Sequence, residues 1–187
     1  MTVRADVPGD LIEAARLGRP GAADRLLAQA WPHAFRIARS ILRDDGLAED
    51  AAQEACAIVS CTVTRLRSAV AFRVWFYRIA VREAMRLGRK RALASVFTCE
   101  PAAAADPGDS IERLDVHRAL GRLSRAQRAV VVLHYYAEMN SREIAAVLRV
   151  PDSTVRFHLV HARRKLETLL GDCRIPARLL EAVNGVL

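Results

Sequence analysis

The side chains best placed to do chemistry in this chain are basic ones at helical spacing. In FRVWFYRIAVREAMRLGRKR, residues 72–91, Arg78, Arg82, Arg86 and Arg89 fall at i, i+4, i+8 and i+11. That spacing puts four guanidinium groups on one stripe of an α-helix. Like charges at i,i+4 cost an isolated helix about 0.2–0.5 kcal/mol per pair, so the stripe calls for an anion opposite it. Nucleic-acid backbone supplies such a charge, in binding that weakens steeply with salt. The plainer reading is a solvated face pairing with Asp44, Asp45, Glu49 and Asp50. Phe72, Trp75, Phe76 and Tyr77 flank the stripe and offer faces on which bases stack. Phe72, Phe76, Ile79 and Ala80 also have the spacing of a core, with Trp75 a natural partner for Ile79.

A second basic focus lies near the C-terminus. SREIAAVL (141–148), RVPD (149–152) and STVRFHLVHARRKLE (153–167) read as helix, short turn, helix. Ile144, Ala145, Val147 and Leu148 face inward from the first helix and Val150 fills the turn. Val155, Leu159, Ala162, Leu166 and Leu169 form the inner stripe of the second. Ser153, Arg156, Phe157, Val160, His161 and Arg164 are left pointing away from the core, and Asp152 or Ser153 caps the new N-terminus. An outward N-terminal face on the second helix is the geometry that enters a major groove. Arg156 suits a bidentate pair with guanine, Phe157 a thymine methyl. Ser153 and Thr154, with their backbone amides, suit a phosphate. An ordinary helical hairpin leaves the outward Phe157 and Val160 unexplained.

Other chemistries find little material. There is no P-loop, GxGxxG, HExxH or Ser/His/Asp order, so no enzyme activity and no cofactor are expected. His158 and His161 stand at i,i+3 without a third ligand nearby, so no metal site is expected. Cys56, Cys61, Cys99 and Cys173 form no CxxC and are too sparse for a disulfide scaffold. The uncharged run Ala55–Thr64 is far short of the roughly 20 residues needed to cross a bilayer. Residues 1–10 contain Asp6 and Asp10 and no apolar h-region, so a secretory signal is not expected and a cytoplasmic location is.

Composition frames these sites. The 187 residues carry a net charge of +8, and 27 of the 29 basic residues are Arg, whose planar fork suits phosphate and guanine. Residues 61–91 hold nine basic residues against Glu83 alone. With 33 Ala and 10 aromatic residues, the core must be made of many small contacts, as in close-packed helices. The elements that position the two basic surfaces are all helical. Asp10 with Glu13 suggests a capping box for a first helix. Leu26, Leu27, Ala30, Ala34, Ile37, Ala38 and Ile41 form the inner face of a second, and Leu47–Leu66 and Val70–Lys90 supply two more. Four others are expected over Ser110–Leu123, Arg125–Ala137, Ser141–Leu148 and Ser153–Leu170. The Pro/Ala-rich stretch around residues 100–109 reads as a linker. The fold class is therefore all-α: two small helical domains, 9–91 and 110–172, joined by a flexible linker, 92–109, with a tail at 173–187.

The order of these parts resembles the extracytoplasmic-function (ECF) sigma factors, small subunits that direct bacterial RNA polymerase to promoters. The resemblance covers roughly residues 9–170 and rests on AEDAAQEA (48–55), FRVWFYRIA (72–80) and the helix-turn-helix ending in HARRKL (161–166). It implies that residues 9–91 are a region 2-like domain for polymerase and the −10 element, and residues 110–172 a region 4-like domain for the −35 element. Asp50, Gln53 and Glu54 would face the core polymerase, and the loop from Arg67 to Phe72 would hold an unstacked base. Arg78, Arg82, Arg86 and Arg89 would follow the strand. Arg156, Phe157, Val160 and His161 would be readers of promoter DNA. An anti-sigma factor is a further partner the resemblance implies, and membrane is not.

The departures from the family pattern carry expectations too. Ala55, Cys56, Ala57 and Ser60 stand where bulkier residues are common, so the packing of that helix is open. Arg82 replaces a frequent Asn, and His161 a frequent Arg. Arg149 replaces a frequent turn Gly, which implies that the turn does not need positive φ there. The tail, with Ile175, Leu179, Leu180, Val183 and Leu187, suggests an amphipathic helix that caps the second domain or a docking strip. The rival reading of the whole is a stand-alone helix-turn-helix regulator with a helical sensor or dimerisation domain.

Overall fold

A computed structural model of the chain describes residues 7–95 and 118–170. Residues 96–109 of the expected linker, the tail, Cys99 and Cys173 lie outside the described residues, whereas residues 92–95, expected in the linker, continue α4 to Ser95. All regular structure among the described residues is helical: α1 (Gly9–Arg16), α2 (Ala22–Leu42), α3 (Asp45–Thr62), short 3₁₀ turns at Val63–Arg65 and Ala69–Ala71, and α4 (Phe72–Ser95). Then follow α5 over residues 118–121, α6 (Arg125–Tyr135), α7 (Ser141–Leu148) and α8 (Asp152–Leu170).

Local chemistry sets most of the ends. The Asp44 side chain accepts from the Leu47 amide at 2.9 Å and caps α3. Ser124 with Gln127, and Asn140 with Glu143, form complete capping boxes on α6 and α7. The capping box expected of Asp10 and Glu13 does not form. Pro8 is the N-cap of α1, with no side-chain cap bond, and Glu13 instead pairs with Arg16 one turn on. The fourth helix begins at Phe72, two residues later than expected, because Ala69–Ala71 takes a 3₁₀ turn.

The expected inner face of α2 is buried except for the partly buried Leu27. Against it lies α3, whose Ala48, Ala51, Ala52 and Ala55 are each at most 1% exposed. Small side chains at a contact let helix axes approach closely. That answers the open question about this helix: Ala55 and Cys56 are buried, while Ala57 and Ser60 face outward and need no bulk. The stack closes on Phe72, Phe76 and Tyr77 of α4, with the Phe72 and Phe76 rings stacked at 5.6 Å.

The C-terminal helices do not stand apart. Val130, Leu133, Tyr136, Met139 and Ile144 belong to the same apolar core as α2 and α4. A smaller cluster of Ala119, Leu120, Leu123, Val131, Ala162 and Leu166 ties α5 and α6 to α8. Polar bonds cross the seam as well. The buried Tyr136 hydroxyl lies 2.9 Å from His33 Nδ1 and accepts from Arg36 at 3.4 Å. Burial pushes this phenol's pKa up, and Arg36 partly offsets that. Arg73 donates to the Ala137 carbonyl and pairs with Glu143 at 3.4 Å.

Candidate nucleic-acid interface

The second helix of the helix-turn-helix divides as its sequence period requires. Val155, Leu159, Ala162 and Leu166 are buried. Leu169 is a correction: at 47% exposure, it is not part of the inner stripe. Ser153, Arg156, Phe157, Val160, His161 and Arg164 are all exposed, and Thr154 is half-buried at the first turn. Phe157 is 59% and Val160 48% exposed, an outlay of apolar surface that needs a partner. The Phe157 and His161 rings lie 4.1 Å apart between centroids, one helical turn from each other. Arg156 is held by Asp152, whose carboxyl is kept below its ordinary range by Ser141 and by Arg156 itself. Arg163, next to the exposed Arg164, instead donates to the Tyr135 hydroxyl at 2.7 Å and anchors α8 to α6.

The turn corrects one expectation. Arg149 ends α7 with φ 55° and ψ 47°, in left-handed backbone, so positive φ is needed at the position where Gly is frequent. The Val150 amide bonds back to the Ala145 carbonyl at 3.2 Å and closes the helix end. A non-glycine residue here carries a conformational cost.

On α4, Arg82, Arg86 and Arg89 are exposed and Arg78 is half-buried. The acid that hydrogen-bonds the stripe is none of Asp44, Asp45, Glu49 and Asp50. Glu83, 4% exposed, receives Arg82 Nε at 3.0 Å on one carboxylate oxygen and Arg86 Nε at 2.6 Å on the other. It is the lone acid of the 61–91 block, and that solitude is the signal for its role. Asp44 pairs instead with Arg91 and Asp45 with Arg39. One buried carboxylate thus aims two guanidiniums while leaving their outer edges free.

Phe72 is the other correction. It is 2% exposed and stacked on Phe76, so its ring belongs to the core and cannot take a base without opening that stack. Its core spacing was the better guide. Arg67 is exposed in the loop before α4, where Val70 is 92% exposed and is the apolar side chain on offer.

Two grooves bring these residues together. A cleft of about 560 Å³ has Arg78, Arg82, Arg89 and Trp75 on its α4 wall and Val147, Leu148 and Arg149 opposite. A shallower groove of about 420 Å³ joins Asp50, Gln53 and Glu54 of α3 to Arg86 and Lys90. The three α3 residues are exposed on one face, with Glu54 close enough to Arg86 to stabilise its charge. Among the described residues, no His/Cys/Asp/Glu group of metal-binding form occurs, and no helix is long and apolar enough to cross a membrane.

Known proteins match this arrangement. Residues 26–93 match the sigma-70 region 2 model and residues 113–166 the sigma-70 region 4 model. The chain is 30% identical over 164 residues to the ECF RNA polymerase sigma factor SigM of Mycobacterium tuberculosis, covering 87% of this chain and 84% of that protein. It is 26% identical over 138 residues to the RNA polymerase sigma factor SigV of Bacillus subtilis, covering 73% and 83%. Among solved structures, it is similar to CnrH in complex with the cytosolic domain of CnrY, with TM-score 0.65 and 26% identity over 89% of this chain and 97% of that one. It also shares the fold of the sigma factor RpoE, solved with the anti-sigma factor NepR from Bartonella quintana, with TM-score 0.70 and 21% identity over 82% and 99%. With both halves matched in order and a relative at 30% identity covered almost throughout, this chain belongs to the ECF RNA polymerase sigma factors.

Proposed function

We propose that the chain binds core RNA polymerase and directs it to promoters by two separate contacts, with no catalytic step of its own. Residues 9–91 serve polymerase and the −10 element, and residues 110–172 the −35 element. Asp50, Gln53 and Glu54 are the polymerase-facing residues. Arg67 and the stripe Arg78, Arg82, Arg86 and Arg89 hold the melted strand of the −10 element. Arg156, Phe157, Val160 and His161 read the −35 duplex, with Ser153, Thr154 and Arg164 on its phosphates. The observation that carries this reading is the two-faced α8, buried along Val155, Leu159, Ala162 and Leu166 and open along Arg156, Phe157 and Val160. The protein acts in the cytoplasm. An anti-sigma factor is a further partner, in keeping with the anti-sigma factor NepR bound to RpoE in the solved complex.

Each contact is weak alone, and polymerase makes them strong by holding both in register, as effective concentration requires. Footprinting therefore separates this reading from a stand-alone regulator. Holoenzyme reconstituted with the chain protects two DNA patches, and the free chain at the same concentration protects neither. A footprint from the free chain that polymerase does not alter would favour the stand-alone regulator.

A further inference from the structure

Away from both DNA-facing surfaces, three guanidinium groups converge where the end of α2 meets α5 and the start of α6. Arg128 is 8% exposed, its Nη1 donates to the Leu120 carbonyl at 3.3 Å, and its Nε has no hydrogen-bond partner. Arg43, in left-handed backbone just after α2, lays its guanidinium directly on Gly121, where a Cβ would lie 2.3 Å from Arg43 Nη1. The Arg43 Nε is likewise buried and unpartnered. Arg125 packs across the seam against Gly88 of α4, where a Cβ would lie 3.1 Å from its Nε.

Three cations so placed are costly. Burial, then the charges of Arg43 and Arg125, push the Arg128 guanidinium down to about 10. Arg125 and Arg128 also stand in the first turn of α6, which carries no acid and where the helix dipole disfavours cations. An anion entering here offsets the repulsion among the three charges and turns the helix-dipole cost into a gain. Unused guanidinium N–H groups, neutralisation of crowded charge and a helix N-terminus all favour a compact oxyanion with several acceptor oxygens. We propose that Arg43, Arg125 and Arg128 form a binding site for a small phosphate-class anion that bridges α2 to the helix-turn-helix half of the chain. The burial of Arg128 favours a small ion over the backbone of a DNA duplex. This site stands independently of how the chain engages polymerase or promoter.

Calorimetric titration of the full chain with inorganic phosphate and with pyrophosphate, at ionic strength fixed with chloride, tests it. Saturable one-site binding is expected, with pyrophosphate the tighter ligand. Arg43→Gln and Arg125→Gln should each weaken it by about tenfold or more, the loss of one charge-assisted hydrogen-bonding partner. Gly121→Ala should weaken it too, because the added Cβ pushes the Arg43 guanidinium out of place without removing its charge. Arg82→Gln, in the α4 stripe, should leave it unchanged, and circular dichroism verifies that each variant keeps its helix content. Absence of saturable binding to the wild-type chain overturns the proposal. So does binding that survives Arg43→Gln and is lost in Arg82→Gln, which would place the anion on the DNA-facing stripe.

Discussion

Arg78 Nε donates to the main-chain carbonyl of Ala146 at 3.2 Å, so one guanidinium of the α4 stripe is bound to the helix-turn-helix. The α4 stripe therefore meets the helix-turn-helix in this arrangement, with the stripe as one wall of a cleft and the end of α7 as the other. A phosphate meeting Arg78 can use its two Nη groups and leave this contact in place, whereas one that takes Nε displaces it.

The same seam is fastened by Tyr136, 1% exposed and bonded to His33 and Arg36. Tyr136→Phe keeps the packing and leaves those two partners unmatched on that side. Urea denaturation should show a loss of about 1–2 kcal/mol, the cost of orphaned polar groups. An unchanged midpoint would mean that water reaches the seam and replaces the hydroxyl.

Arg156→Ala should remove recognition at the upstream element while leaving polymerase binding intact. Loss of a bidentate guanine contact corresponds to about 1–3 kcal/mol. In a footprint, the upstream patch should fade while co-elution with core polymerase is unaltered. Equal loss of both would show that the two halves are assigned wrongly.

Arg149→Gly should stabilise the protein. Left-handed backbone costs a non-glycine residue roughly 1–2 kcal/mol, and the added unfolded-state entropy of glycine returns about half, for a net gain of about 0.5–1 kcal/mol. Thermal denaturation measures it. A lower melting temperature would mean that the Arg149 side chain, on the cleft wall, makes a contact worth more than the backbone cost.

The cysteines of α3 should differ in reactivity. Cys61 is exposed, whereas burial pushes the Cys56 thiol up to about 11 from its ordinary 9.0. A raised thiol holds less thiolate, the reacting species. Alkylation at pH 8 followed by peptide mapping should find Cys56 modified at least about tenfold more slowly than Cys61, because its thiol is both buried and less often thiolate. Equal rates would mean that α3 opens readily.

Much of this was legible in the chain because the decisive signals are local. Asn140, Glu143 and Pro151 bracket α7, and its bounds at Ser141–Leu148 are those the sequence predicts. The outward set on α8 follows from a period of 3.6 with one stripe of Val, Leu and Ala. What stayed hidden depends on distance along the chain. Nothing near His33 announces Tyr136, 103 residues away, so the seam between the halves is invisible to periodicity. Phe72 carried two readings, one from spacing and one from family resemblance, and packing decided for the core. Arg149 shows the limit of propensity: a well-anchored helix end forces a residue into backbone it does not prefer.

Run-off transcription with purified core polymerase on fragments of the source genome tests the central claim most directly. Discrete start sites should appear only when the chain is added, and should vanish with Arg156→Ala while the chain still co-elutes with polymerase. No affinity for the core enzyme, or transcripts whose starts do not depend on the chain, would contradict the account.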